Sequence, residues 1–120
     1  MQWTGFLDDG DLPGFLSGAD LIAYPSDGEG FGLPLLEAMA CGTAVLTTKR
    51  LALPEVGGDV AFYAEPTRSS LVEAIRGILL DSRTRTERGL DGPARAATFT
   101  WERSAADHVR AFESARRVRP

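Results

Sequence analysis

The sequence predicts an α/β domain in which an open parallel sheet is flanked by helices. Three features lead there: short apolar or β-branched runs alternate with stretches of helical periodicity, the first two runs stop at a Gly/Asp-rich break and at Pro25, and helix 33–41 carries its own start and stop residues. In chain order, residues 2–7 have strand content in Trp3, Thr4 and Phe6, and a Gly/Asp break at 8–11 precedes a short helix over 12–17. The run 20–24 (DLIAY) ends at Pro25, as a buried parallel strand entering a loop does. That loop is 25–32.

Helix 33–41 follows, since Pro34 suits a first turn that lacks hydrogen-bond acceptors for its amides and Gly42 suits the position just beyond an end. Strands are expected at 43–48 (TAVLTT) and 60–63, with a short turn at 53–58 between them. Residues 67–80 then read as a helix with Leu71, Ile75, Ile78 and Leu79 on one face. Beyond it Gly89, Gly92 and Pro93 are expected to break up a second helical stretch. Thr100 caps a last helix whose Trp101, Ala105, Val109 and Phe112 form an apolar stripe suited to core or docking. The expected division is an α/β core over 1–81 and a C-terminal helical segment over 82–120.

A chain of 120 residues buries roughly two-thirds of its unfolded surface, enough for one core. Hydrophobic residues at 43%, charged residues at 25% and 13 glycines exclude collagen-like, disordered and disulfide-scaffold classes. Cys41 is the single cysteine, so neither an intrachain disulfide nor a cysteine-based zinc site is available, and a small buried residue at a helix end is its expected role. No stretch approaches the roughly 18 apolar residues of a membrane span, and the start lacks the basic region and apolar core of a signal peptide. The expectation is a cytoplasmic protein.

The net charge of −4 is unevenly spread: residues 1–65 carry ten acids against Lys49 and Arg50, and residues 66–120 carry eleven arginines against seven acids. The arginines are interleaved with acids on helices, which is the pattern of a solvated face, and nucleic acid is not an expected partner.

In open parallel sheets ligands bind beyond the carboxyl ends of the strands, so the loop after the DLIAY strand is the first place to look. It reads Pro25-Ser26-Asp27-Gly28-Glu29-Gly30-Phe31-Gly32, with three glycines in five residues directly before a helix N-terminus. Such a helix start offers free amides and a partial positive charge to an anion. Glu29 lies in the loop and Glu37 one turn inside the helix, where side chains lean back toward the N-terminus. Both carboxylates can reach one small space, and both are good acceptors for the vicinal hydroxyls of ribose and hexose. Ordinary solvation of a loop acid and of a helix acid is the competing reading of each. A glycosidase pair would need sugar-stacking aromatics around an open cleft, which nothing else here supplies.

The stretch EGFGLPLLEAMACGTAV closely resembles the signature of family 4 glycosyltransferases (the "group 1" family), with Glu29 and Glu37 meeting its E-x7-E spacing. The resemblance continues through LPEVGGDVAFYAEP and the upstream GFLDDGDLPGFLSGADLIAYPS. It implies a Rossmann-like domain, the C-terminal, donor-binding half of a GT-B architecture, and a retaining transfer of a hexose from a nucleotide-diphosphate sugar. It further implies Glu29 on the donor hexose as the catalytic residue of the site, Glu37 on the ribose, and the amides of Gly30, Phe31, Gly32 and Leu33 on the sugar and diphosphate. No metal or other cofactor is implied, the acceptor being a sugar, lipid or small molecule held on an N-terminal domain. An anionic membrane surface is a further implied contact, at the inner face, because many enzymes of the family meet lipid-linked acceptors there.

Two departures stand beside it: neither an acceptor domain nor the basic clamp for the diphosphate is found in these residues, so the chain alone is expected to be inactive. The alternatives are a non-catalytic nucleotide-sugar-binding or interaction module, and an epimerase or phosphorylase on the GT-B fold. His108 is expected to be a structural or surface residue.

Overall fold

The computed structural model describes residues 1–117, so residues 118–120 of the expected C-terminal segment lie outside the described residues. The elements are α1 (Leu12–Ser17), β1 (Ile22–Ala23), α2 (Leu33–Ala40), β2 (Val45–Thr47), α3 (Leu53–Gly57), β3 (Phe62–Tyr63), α4 (Arg68–Leu80), α5 (Ser82–Ala96) and α6 (Trp101–Arg117). The strands pair in parallel in the order β1-β2-β3, with Ile22 opposite Val45 and Leu46 opposite Phe62. Parallel neighbours cannot be joined by a hairpin, and α2 and α3 provide the crossovers. The fold is the expected α/β, Rossmann-like arrangement.

The central strand is the most buried part of the chain: Val45 is 1% exposed, and Leu46, Thr47 and Thr48 are fully covered. A hydroxyl there needs an acceptor. Thr43 Oγ1 donates to the Leu16 carbonyl at 2.7 Å, Thr47 Oγ1 to that of Tyr24 at 2.9 Å and Thr48 Oγ1 to that of Ser26 at 2.6 Å. Each threonine thus ties β2 to the segments leading into or out of β1.

Helix α2 turns Leu35, Ala38 and Met39, all fully buried, toward a core shared with Leu16, Val45, Leu53, Val56, Ala61 and Ala96. It stops as the sequence indicates. Gly42 takes φ +76°, its amide reaches the Met39 carbonyl at 3.0 Å, and the Thr43 amide reaches that of Ala38 at 3.1 Å. These two bonds are a Schellman cap. Cys41, at the C-cap, is half-buried.

Three expectations are corrected. Residues 2–7 form no strand: Gly5 sits at φ +70°, and Trp3 and Phe6 are 94% and 89% exposed. Among the described residues they pair with no strand and bury no face, and strand-forming side chains alone do not make a strand. The turn at 53–58 is instead the one-turn helix α3, whose Leu53 and Val56 fill the core.

The third correction is the largest: Gly89, Gly92 and Pro93 do not interrupt a helix but lie within the continuous α5. They allow α5 to close on α2, the most extensive helix–helix contact in the chain. A Cβ on Gly92 would lie 2.5 Å from the Met39 carbonyl oxygen, and one on Gly89 would lie 2.7 Å from that of Gly42. Arg95, three residues beyond Gly92, donates through Nε to the Val56 carbonyl at 3.1 Å and through its guanidinium to that of Glu55. It thereby satisfies acceptors at the end of α3, so α5 holds two elements at once.

In α4, capped by Thr67, Ile78 is buried and Leu71 and Ile75 are half-buried, whereas Leu79 is 45% exposed. The stripe on α6 is not core: Trp101, Val109 and Phe112 are 82%, 54% and 68% exposed. His108, also exposed, is 2.8 Å through Nδ1 from the Ser104 carbonyl, which makes it a surface residue as expected. The radius of gyration is 16.6 Å, against about 14 Å for a closely packed chain of this length, so α6 and the N-terminal residues extend away from the core.

Candidate functional site

Because all three strands are parallel, the segments after Ala23, Thr47 and Tyr63 emerge at one edge of the sheet. The first of them carries Glu29. Tyr24, just past β1, keeps strand geometry through its amide on the Leu46 carbonyl at 2.8 Å, and the Ser26 amide turns back to the Tyr24 carbonyl at 2.9 Å. The chain then runs outward to Glu29 and returns to α2 through Gly32.

Glu29 is half-buried and held by two donors on the same oxygen: Tyr24 Oη lies 2.5 Å and Ser26 Oγ 2.8 Å from Oε1. Oε2 has no partner among the described residues. The hydrogen bonds from Tyr24 and Ser26 hold the Glu29 carboxyl below its ordinary value, outweighing desolvation. The same hydrogen bond and the adjacent charge raise the Tyr24 phenol. At neutral pH Glu29 is therefore an anion with one committed and one available oxygen, an acceptor and not a proton donor.

Between Glu29 and α2 the backbone is built for close approach. Gly32 caps α2 at φ +97°, ψ +51°, the left-handed region, and a Cβ there would meet Leu53 Cδ2 at 2.8 Å. A Cβ on Gly30 would meet nothing within 4 Å, which leaves open space beside the loop. The amides of Leu35 and Leu36 are used by the Gly32 carbonyl, at 3.1 and 3.2 Å. Those of Gly30, Phe31, Gly32 and Leu33 donate to no acceptor among the described residues. Four successive unengaged donors at a helix N-terminus suit the oxygens of an anion.

The residues the sequence singled out thus fall into distinct parts. Phe31 offers its amide, while its ring packs edge-on against Phe99, centroids 5.7 Å apart, and Arg95 lies over Phe99 at 5.0 Å. Its side chain packs the loop against the segment that follows α5. Leu33 is 50% exposed at the helix start. Glu37 stands on the exposed side of α2, about 6 Å along the axis from Leu33, without a hydrogen bond or ion pair among the described residues. Lys49 and Arg50 follow β2 at the same edge; Lys49 Nζ lies 5.6 Å from the centre of the Tyr63 ring and Arg50 is 3.9 Å from Glu65.

Sequence reasoning missed Tyr24, Ser26, Thr47 and Thr48. The Ser26-x-x-Glu29 spacing is that of a capping box, whose bonds go to backbone amides at a helix start and not between the two side chains, and no local signal joins Thr47 and Thr48 to a loop more than twenty residues away. An open concavity of 830 Å³ along α4, lined by Arg68, Ser69, Val72, Glu73 and Arg76, belongs to one helix face and includes none of the loop residues.

The model of the family described as "Glycosyl transferases group 1" matches residues 1–93, from the N-terminal coil into α5. The chain belongs to the group 1 glycosyl transferases. Among relatives of this group, it is 37% identical to the O-antigen chain mannosyltransferase B of Escherichia coli, over 94% of this chain and 30% of that protein. It is 39% identical to the MMP alpha-(1->4)-mannosyltransferase of Mycolicibacterium hassiacum, over 91% of this chain and 28% of that one. The solved sucrose-phosphate synthase of Thermosynechococcus elongatus superposes with a TM-score of 0.80 at 28% identity, covering 98% of this chain and 31% of that one. The chain therefore spans about three-tenths of the length of these glycosyl transferases.

Proposed function

We propose that this chain is the C-terminal, donor-binding domain of a family 4 retaining glycosyltransferase that moves a hexose from a nucleotide-diphosphate sugar to an acceptor. The observation that carries the proposal is the pairing of a fixed, ionised Glu29 with four unengaged amides at the start of α2. A diphosphate set against the amides of Gly30, Phe31, Gly32 and Leu33 places the transferred hexose on the Glu29 side and the ribose on the Glu37 side. Glu29 then accepts hydroxyl protons of the hexose through Oε2, and Glu37 those of the ribose.

Because Glu29 is an anion at neutral pH, its part is to orient the sugar and to meet positive charge that develops at the anomeric carbon, without donating a proton. The donor's own diphosphate takes the acceptor proton as the new glycosidic bond forms on the face that the leaving group departs. The relatives' names favour mannose as the hexose. Acceptor binding, any contact with a membrane surface and a cytoplasmic location are further parts of the reading, and acceptor binding and turnover call on the greater length that the relatives possess. Among the described residues no helix is long and apolar enough to cross a membrane.

The test is Glu29→Gln in the intact protein, with nucleoside diphosphate binding and sugar transfer measured separately. Affinity for the free nucleoside diphosphate stays nearly unchanged and kcat falls, since the substitution weakens a hydrogen bond to the hexose and none to the nucleotide. Abolished nucleotide binding with normal turnover of bound donor would refute the assignment.

A further inference from the structure

We infer that Tyr24 and Ser26 are positioning residues for Glu29, fixing one carboxylate oxygen so that the other is presented to the donor sugar. The inference rests on the reading of Glu29 given above. A tyrosine and a serine hydroxyl each have one proton to give. Tyr24 gives its proton to Glu29 Oε1 at 2.5 Å, and Ser26 gives its proton to the same oxygen at 2.8 Å while accepting from the Gly28 amide at 3.4 Å. Both donors converge on one atom, so the carboxylate is held without its second oxygen being used.

The donors are themselves fixed from the interior of the sheet. Thr47 and Thr48, both fully buried at the end of β2, bond the carbonyls of Tyr24 at 2.9 Å and Ser26 at 2.6 Å. The placement of Glu29 thus follows from the central strand through two parallel links, Thr47 to Tyr24 and Thr48 to Ser26. A flexible side chain ordered before the ligand arrives loses less entropy on binding and keeps its alignment as charge develops.

The experiment uses Tyr24→Phe, Ser26→Ala, their double variant and Glu29→Gln in the intact protein. Transfer kinetics and nucleoside diphosphate affinity are followed in each, and the carbon-13 NMR titration of the Glu29 carboxyl in those that retain it. Tyr24→Phe and Ser26→Ala each lower kcat about tenfold, the scale of a hydrogen bond to a charged group, with affinity for free nucleoside diphosphate within about twofold. The Glu29 midpoint rises toward the ordinary glutamate range in each single variant and further in the double, which reports the lost bonds; the fall in kcat at unchanged nucleoside diphosphate affinity is the change that a purely structural role would not produce. Lowered turnover in Glu29→Gln with wild-type turnover in Tyr24→Phe, Ser26→Ala and their double variant overturns this inference alone, whether or not the midpoint moves. Wild-type turnover in Glu29→Gln overturns the reading of Glu29, and this inference with it.

Discussion

Gly92→Ala separates two opposed expectations about α5. On intrinsic propensity, alanine in a helix interior is worth about 1 kcal/mol over glycine, so the variant should be more stable. The structure gives the opposite sign. The new methyl carbon would stand 2.5 Å from the Met39 carbonyl oxygen and 3.2 Å from Met39 C and Cα. Ordinary contact begins at 3.4 Å, so the helices would have to part by about 0.9 Å at that point. The atoms in the way are backbone, and the Met39 carbonyl also accepts the Gly42 amide that caps α2.

Overpacking of this kind costs about 1–3 kcal/mol, which cancels or outweighs the propensity gain and leaves a net destabilisation of up to about 2 kcal/mol. For a chain of this size that lowers Tm by up to about 8 °C. Gly77→Ala in α4 is the matched control, because a Cβ there meets nothing within 4 Å; it should raise Tm by about 4 °C. Thermal unfolding followed by circular dichroism reads both. A rise in Tm for Gly92→Ala comparable to that of Gly77→Ala would refute the close-packing argument.

Glu37→Gln in the intact protein should weaken nucleoside diphosphate binding by about 1.5–3 kcal/mol, the worth of a hydrogen bond to a charged group; calorimetric affinity equal to wild type removes Glu37 from the ribose. Gly32→Ala should lower both Tm and donor affinity, since alanine disfavours φ +97° by about 1–2 kcal/mol and its methyl would press on Leu53 Cδ2 at 2.8 Å; unchanged values in both measurements count against the cap geometry. Asp81 caps α5 by accepting the Thr84 amide at 3.0 Å, and its hydrogen bonds to Thr84 lower its pKa from 3.8. A depressed carboxyl stabilises the fold fully above its unfolded value and loses that contribution as pH falls through the folded one. The stability gap between wild type and Asp81→Asn should therefore narrow as pH drops below 3.8, and a gap independent of pH, measured by denaturant titration, rules out the charged cap.

The sequence by itself determined the parallel α/β class, the span of α1, the start of α2 and its stop at Gly42, and the loop that carries Glu29. These are local matters. Proline in a first turn, glycine at φ +76° and an apolar run ended by Pro25 act within a few residues, so the chain's own chemistry decides them. Glu29 and Glu37 were legible as candidates for the same reason, since their spacing around one helix start is a property of the chain.

Tertiary structure alone decided the rest. Strand content in Trp3, Thr4 and Phe6 produces no strand, because a strand needs a neighbour to complete its hydrogen bonds. Gly89, Gly92 and Pro93 look like helix breakers until α2 lies beside them, when the missing side chains of the two glycines become the space that lets two backbones meet. The hold on Glu29 is of the same kind. Tyr24 and Ser26 are ordinary residues in the sequence, and Thr47 and Thr48 reach their carbonyls only because β2 pairs with β1. Hydrogen bonds and close packing between segments distant in the chain exist only once the sheet has formed, and that is why spacing along the sequence could not reveal them.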